Sequence, residues 1–490
     1  MSLSVLSSEV IRDLLENLSR EEAEHFVDTL RSGLHQYSTG TDAVDKSVFH
    51  QPSRSAIHSE FTGATTLFMP AISSLGHSMK VITVPSPDFD PALPPIKPTG
   101  SLTLYAPDGS PVGFLHAQTL TAFRTALASS CLLLKRTRVK TLTVFGAGIQ
   151  AYWHIRLALM LRGDTIETVN IINRQFSNNA REILTRFYQI PREVKEREGW
   201  EKAEFSMLTP GYGDYGRLQR EHILAADVIY CCTPSTQELF DGEILTSYEG
   251  RKKGRLIAAI GSYTKDMREL PRDIMLQATK RHEGGRKHFH KHTTEGGVVV
   301  VDTLNGALKE AGEVVDAGLE PNQLIELGEL VMINKLYDES EPVSRTSMDM
   351  DTLVESVDKV DIGSRTTLDS GSTAVGSTGS EPSKSPAHER TGSSSAPRPS
   401  SPNGGGGSGG FLSAIRPWKH RRTKSQQSVS GDKHEKEPRK HDEHLSSWLS
   451  TGNVIYKSVG LGLMDLIVGL EVVKLAQRKE KGARVDNFSA

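Results

Sequence analysis

Thr141-Leu-Thr-Val-Phe-Gly-Ala-Gly-Ile-Gln-Ala-Tyr-Trp-His-Ile-Arg-Leu-Ala-Leu-Met-Leu-Arg162 decides the fold. Its opening residues mix β-branched and apolar side chains, the pattern of a short buried strand. After Gly148 the apolar residues return at helical spacing, with Ala151, Ile155, Leu159 and Met160 on one face. Between the halves lie Gly146 and Gly148, and Ala151 occupies the third position of a G-x-G-x-x-G/A motif. The first glycine permits a tight turn, the second lets a pyrophosphate approach the backbone, and a small third residue packs helix against strand. The helix N-terminus then presents free N–H groups to the anion. Taken singly the motif is weak, because plain strand–turn–helix units occur throughout α/β proteins.

The residues that follow strengthen it. Glu167-Thr-Val-Asn-Ile-Ile-Asn-Arg174 reads as a second apolar strand ending in Asn173-Arg174. At this place an acidic side chain binds the ribose 2′-hydroxyl of NAD, whereas an arginine accepts the 2′-phosphate of NADP. Arg174 has no carboxylate beside it, which favours NADPH over NADH; the alternative is a solvated loop arginine. Ala225-Ala-Asp-Val-Ile-Tyr-Cys-Cys-Thr-Pro-Ser235 and Arg255-Leu-Ile-Ala-Ala-Ile-Gly-Ser262 read as third and fourth strands with small or hydroxylated ends. The expected fold class is α/β, a Rossmann-like NAD(P)-binding domain joined to an α+β N-terminal domain.

At 490 residues the chain has room for two or more domains. A mean hydropathy of −0.37 suggests that part of it is not globular, and a net charge of −2 gives no pull towards nucleic acid. Cys131, Cys231 and Cys232 cannot form a disulfide framework, so a reducing compartment is expected. No basic region precedes a long apolar run at the N-terminus, and no signal peptide is expected. The best candidate for a membrane span, Ser458 to Ala476, carries Asp465, Glu471 and Lys474, so an amphipathic or buried helix is the better reading. These features together point to a cytoplasmic protein with no nucleic-acid or membrane partner.

In chain order, residues 3–35 read as helices, with Ser19 and Glu22 at capping-box spacing. Strand-like runs follow at Thr65 to Pro70, His77 to Val84 and Gly100 to Tyr105, and Asp108-Gly109 marks a hairpin turn into Pro111 to Leu115. From Leu120 to Lys135 the pattern is an apolar helix interrupted by Arg124. This gives an α+β substrate domain over 1–125 and a dinucleotide domain over 126–335. Within the latter, four histidines lie between Lys280 and His292. Without a carboxylate or cysteine fixing their spacing, a solvated loop outweighs a metal site, and no metal is expected. Strand Val298 to Asp302 and helices over Leu304 to Glu313 and Leu324 to Leu330 follow. Residues 336–446, rich in Ser, Gly and Pro, read as a disordered insertion because they cannot bury enough apolar surface to offset chain entropy. The basic run Phe411 to Ser425 inside it reads as linker or docking segment. A C-terminal helix and tail occupy 447–490.

Several blocks occur in a telling order: Arg54, Phe68-Met-Pro-Ala71, Met79-Lys-Val-Ile-Thr-Val84, Leu120-Thr-Ala-Phe-Arg-Thr-Ala126 and Phe145-Gly-Ala-Gly-Ile-Gln-Ala151. Thr233-Pro-Ser235, Ile260-Gly-Ser262 with Arg268-Glu-Leu270, Asp302 with Lys309-Glu-Ala-Gly312, and Lys457-Ser-Val-Gly460 with Asp465 continue the series. In these the chain resembles the ornithine cyclodeaminase/mu-crystallin family over most of 1–335 and 447–480. The resemblance implies a substrate shell of Arg54, Lys80 and Arg124, with Val459 beside the substrate and Lys80 as the catalytic group. It implies cofactor contacts from Ser101, Thr125, Gly146, Ala147, Gly148, Ile149, Gln150, Ala151, Asn173, Arg174, Thr233 and Ser458. It also implies a homodimer formed through the N-terminal sheets. The residue types suit a small imino or amino acid: guanidinium grips a carboxylate bidentately, and a lysine of lowered pKa donates a proton. Without the resemblance, Arg54 and Lys80 would pass for surface charges, and only Arg124 stands out.

One departure bears on the chemistry. Where ornithine cyclodeaminases carry a catalytic aspartate, this chain has Ser262-Tyr263, with Asp266 the nearest carboxylate. The run Gly261 to Leu270 looks more like mu-crystallin and the reductase members. The expectation is an NADPH-dependent ketimine reductase or amino-acid dehydrogenase, NADH being the second cofactor choice. The rivals are ornithine cyclodeamination to proline and ammonia, and a silent protein that only binds cofactor and small ligand.

Overall fold

The computed structural model describes residues 2–40, 48–85, 98–280, 296–330 and 445–488. One compact unit takes in Met1–Glu341 and Lys433–Ala490; the other, Pro342–Asp432, lies outside the described residues. So does most of the expected insertion, as does the histidine-rich stretch from 281 onward.

The middle of the chain builds an eight-stranded, wholly parallel sheet. Its strands are β7 (Thr141–Phe145), β8 (Thr168–Ile172), β9 (Glu204–Leu208), β10 (Val228–Cys231), β11 (Leu256–Ala259), β12 (Val298–Val301), β13 (Leu324–Glu326) and β14 (Val454–Lys457). They lie in the order β13-β12-β14-β11-β10-β7-β8-β9. β7, β10, β11, β12 and β14 are buried nearly throughout, as expected where helices cover a parallel sheet. β14 comes from beyond the long insertion, yet it is threaded between β11 and β12. Both β14 and Leu324–Glu326 are strands where helix is expected from the sequence pattern.

The front of the chain forms a seven-stranded sheet of β1 (Leu3–Leu6), β2 (Ser55–Ser59), β3 (Ala64–Ser73), β4 (Gly76–Pro85), β5 (Thr99–Tyr105), β6 (Pro111–His116) and β15 (Ala483–Val485). The order is β15-β1-β6-β5-β4-β3-β2, antiparallel except where β1 runs beside β6. Leu3–Leu6 is therefore a strand and not helix: it is too short to nucleate a helix, and it gains a ladder on either side. The β5–β6 hairpin turns at Gly109, whose φ of +86° suits glycine, and Ser110 N–H donates to Asp108 at 2.9 Å.

One face of this sheet is covered by helices. Helix α1 (Ser8–Glu16) is followed by α2 (Arg20–Gly40), whose start is a reciprocal capping box. In it Glu22 N–H donates to Ser19 Oγ at 3.1 Å and Ser19 N–H to Glu22 at 3.0 Å. Helix α3 (Ala117–Leu133) is buried almost throughout because it packs on β5 on one side and on α4 (Ile149–Arg162) on the other. The expected 125/126 boundary falls inside α3. The C-terminal helix Gly462–Arg478 returns to pack across β3, β4, β5 and β6 and against α2 and α3.

Candidate functional site

β7 and β10 are neighbours at which the strand order reverses, and their carboxyl ends open a crevice of the kind that binds dinucleotides. Gly146 follows β7 with φ of +103°, and a Cβ there would lie 2.9 Å from the Cys232 carbonyl oxygen. Glycine is thus required twice over, by dihedral and by the approach of the β10 end. Gly148 is the N-cap of α4 and makes no side-chain cap, and a Cβ on it would meet nothing within 4 Å. The N–H groups of the first turn of α4 therefore face open space, which fits an anion. Asn173 and Arg174 follow β8 at the rim; Asn173 is tied by its Nδ2 to the Gln175 carbonyl at 2.7 Å, and Arg174 is exposed.

From this crevice a cleft of about 1030 Å³ reaches the inward face of the front sheet. There the three basic residues converge, from three separate parts of the chain. Lys80 comes from β4, Arg124 from the middle of α3, and Arg54 from just before β2. Lys80 Nζ donates to Asp465 Oδ2 at 2.5 Å and Arg124 Nε to Asp465 Oδ1 at 3.2 Å. Exposure is 1% for Lys80, 4% for Arg124 and 0% for Asp465. Burial lowers the Lys80 pKa to about 8, Asp465 opposing the shift while Arg124 and Arg54 add to it. An amine of that pKa holds a proton at neutral pH and can give it up. Arg54 donates to the carbonyls of Tyr263 at 2.6 Å and Val459 at 3.3 Å and pairs with Glu310 at 2.7 Å. Its pKa too is lowered, chiefly by burial, with Glu310 opposing.

The loop after β14 joins the two halves. Asp302 accepts from Ser458 Oγ at 2.8 Å, Val459 N–H at 2.9 Å and Gly460 N–H at 2.8 Å, and from the Tyr456 hydroxyl. Gly460 has φ of +80°, and a Cβ there would sit 2.6 Å from Arg124 Nη2. Asp302 therefore sets the loop that touches both arginines. Beneath the ends of β10 and β11, Glu269 accepts N–H groups from Thr233 and Gly261, each at 2.7 Å, and its pKa is raised, chiefly by burial. Ser262, where a cyclodeaminase aspartate would stand, is buried; its hydroxyl donates to Glu313 and accepts from Lys457. Asp266 is exposed.

Of the residues anticipated from sequence, Arg54, Lys80, Arg124, Val459, Thr125, Gly146, Ala147, Gly148, Ile149, Gln150, Asn173, Arg174, Thr233 and Ser458 all line this one cleft. Ser101 and Ala151 do not. Ser101 pairs with Val81, whereas Lys80 pairs with Leu102, so alternation along the strand turns Ser101 to the other face of the sheet. Ala151 is fully buried and seats α4 instead of touching a ligand. Asp302, Glu269, Glu313 and Asp465 carry no role that the sequence pattern predicts. Asp465 did leave a signal, an acidic residue in an otherwise apolar helix. Among the described residues no group of acidic, histidine or cysteine side chains could hold a metal ion, and no helix is long and apolar enough to cross a membrane.

The family model described as ornithine cyclodeaminase/mu-crystallin matches residues 10–198. The ketimine reductase mu-crystallin of Mus musculus is 28% identical over 335 residues, 66% of this chain and 86% of its own. An uncharacterized protein of Saccharomyces cerevisiae is 26% identical over 351 residues, 67% and 86% of the two chains. Among solved structures, the Thermococcus litoralis Δ1-pyrroline-2-carboxylate reductase, in complex with NADH and L-proline, superposes with a TM-score of 0.55 at 16% identity, covering 98% of this chain and 100% of that one. An archaeal alanine dehydrogenase dimer with bound NAD gives 0.55 at 15%, covering 100% of both. These two share the fold.

Proposed function

Because the chain belongs to the ornithine cyclodeaminase/mu-crystallin family, we propose that it is an NAD(P)H-dependent reductase of small carboxylated imines, or an amino-acid dehydrogenase running in the same direction. The observation that carries this reading is the convergence of Arg54, Lys80 and Arg124 on the cleft that begins at the Gly146–Gly148 turn. The nicotinamide cofactor, when bound, supplies the hydride for the C=N carbon. The chain's own residues do the rest. Gly146, Gly148 and the N-terminus of α4 hold the pyrophosphate, and Arg174 takes the 2′-phosphate, so NADPH is preferred over NADH. Arg124 and Arg54 grip the substrate carboxylate, Arg54 exchanging Glu310 for it. Lys80 delivers its proton to the imine nitrogen as that atom gains electron density, and solvent restores it. Fixed placement of these charges supplies most of the acceleration.

Ser262 speaks against cyclodeamination, which needs a carboxylate for its water and amine steps. Its hydroxyl is committed inside a buried network, and the nearby Asp266 points to solvent. The outward face of the front sheet exposes Ile72, Met79 and Phe114, and we place the homodimer contact there. The test is to follow cofactor oxidation by the purified full chain with 1-pyrroline-2-carboxylate, using NADPH and NADH in turn. Turnover with NADPH, faster than with NADH, is expected. Ammonia released from ornithine with catalytic NAD would replace this reading with the cyclodeaminase one, and tight cofactor binding without turnover of any imine would leave a binding protein.

A further inference from the structure

Behind the floor of the cleft lies a group of charged side chains that the proposed mechanism does not use. Ser262, Glu269, Glu313 and Lys457 are all buried. Glu269 spans the ends of two neighbouring strands. Its Oε1 accepts from the Thr233 N–H at 2.7 Å and the Thr233 hydroxyl at 3.2 Å, after β10. Its Oε2 accepts from the N–H groups of Gly261 at 2.7 Å and Ser262 at 3.2 Å, after β11. Glu313 Oε1 takes the Glu269 N–H at 2.8 Å and the Ser262 hydroxyl. Glu313 Oε2 has Lys457 Nζ at 3.2 Å and no hydrogen bond. Lys457 is itself divided, because it also donates to the Ser262 carbonyl at 2.5 Å and to the Ser262 hydroxyl.

Burial raises the Glu269 pKa, with Lys457 and the Thr233 N–H opposing. An N–H group on each oxygen holds the carboxylate as the anion at neutral pH. Two carboxylates then share one ammonium, in a place that solvent ions do not screen. This negative charge sits one peptide layer behind the cleft, whose lining includes Thr233, Ile260, Gly261 and Ser458. A Cβ on Gly261 would lie 2.0 Å from the Thr233 carbonyl oxygen, so the two turns are in direct contact above Glu269. A dinucleotide lies across the switch point of such a sheet with one mononucleotide on each half. Arg174 after β8 marks the adenosine half, which leaves the ends of β10 and β11 to the nicotinamide half.

We propose that Glu269, backed by Glu313, is a positioning residue for charge: a buried anion that tightens the site on the oxidised, positively charged nicotinamide relative to the reduced, neutral one. The inference rests on the cofactor half of the reading above. Arg54, Lys80 and Arg124 face the same cleft from the front sheet and oppose a positive charge there. Glu269 offsets them from behind the ring. As hydride passes to the imine carbon and Lys80 protonates the nitrogen, the imine is reduced and the cofactor oxidised. Glu269 faces the positive charge left on the ring and stabilises it as it develops, with no reorganisation of its own, because its four donors already fix it.

The experiment measures binding, without substrate, by calorimetric and fluorescence titration of the purified full chain. The ligands are NADP+, NADPH and 2′,5′-ADP, which lacks the nicotinamide, with NAD+ and NADH run alongside. Glu269→Gln should raise the ratio Kd(NADP+)/Kd(NADPH) by about tenfold over wild type, the scale of one buried charge acting across a peptide layer, while 2′,5′-ADP affinity stays within about twofold. For a two-electron couple that change equals about 30 mV in the potential of the bound cofactor. Glu313→Gln, which can keep its Oε1 on Ser262 and on the Glu269 N–H, should move the ratio the same way, and it keeps the test alive if Glu269→Gln does not fold. A merely structural role would weaken oxidised and reduced cofactor alike. That result, or an unchanged ratio in the variants that fold, would overturn the proposal. A shifted ratio without turnover of any imine would sustain it and remove the reductase reading, and a wild-type chain that binds none of the four cofactors would remove both.

Discussion

On the side of the cleft proposed for the cofactor the backbone makes the site; on the side proposed for the substrate basic and acidic side chains make it. The turn after β7 needs only two glycines and the open N-terminus of α4, all within a few residues of one another. The opposite wall needs Lys80 from β4, Arg124 from α3, Arg54 ahead of β2 and, 341 positions beyond Arg124, Asp465 from the last helix. The first wall is cheap to fold and tolerant of its surroundings. The second buries two cations on one carboxylate, an arrangement that holds only while every partner is present. A binding surface for a common cofactor can thus be local, whereas the group proposed to handle the proton is tuned by the tertiary structure.

Substitutions should separate the two walls. Lys80→Ala should lower kcat by about 10²–10⁴-fold, the range for loss of a positioned general acid, while NADPH affinity in a fluorescence titration stays close to wild type. An equal loss in both would show that the walls are not independent. Gly146→Val should do the reverse, weakening NADPH by about 10–100-fold, from backbone strain at φ of +103° and the clash with the Cys232 carbonyl. A variant that bound the cofactor normally would mean that the turn does not carry the pyrophosphate.

The pH profile sharpens the same contrast. Burial brings the Lys80 pKa down to about 8, and in the proposed mechanism the protonated form is the one that acts. kcat should therefore be flat below that value and fall about tenfold per unit above it, with cofactor affinity unmoved. A limb near the ordinary lysine range would remove Lys80 from the proton step. The smallest effect belongs to the rim: Arg174→Ala should cost NADPH about tenfold in affinity and NADH almost nothing. Equal losses for both cofactors would place Arg174 away from the 2′-phosphate.

How much of this could be read from the sequence follows from the same division. Strand, glycine turn and helix lie in one stretch, so the dinucleotide fold and its cofactor turn were legible at once. Arg124 was visible as a lone cation in an apolar helix. Lys80 and Arg54 have no local mark and were assigned only through the resemblance. Ser101 was carried over with them, and strand alternation turns it away from the cleft. β14 escaped because Val454–Lys457 is four residues long and follows a low-complexity stretch, and its place between β11 and β12 is a purely tertiary fact. Leu3–Leu6 was missed as a strand for a similar reason, since its partners β6 and β15 come from later in the chain. Asp302, Glu269 and Glu313 look like ordinary surface acids until the fold buries them under the cofactor loops.

The central claim is that hydride from a cofactor anchored at the β7 turn meets an imine carbon held by the cations of the front sheet. Deuterium transfer tests it most directly: the purified chain is given 1-pyrroline-2-carboxylate with NADPH deuterated at nicotinamide C4, each face in turn, and the product is read by mass spectrometry and NMR. One of the two labelled cofactors should give proline carrying a single deuterium at the α-carbon. Proline with deuterium from neither, or no proline at all while the cofactor is bound, would contradict it.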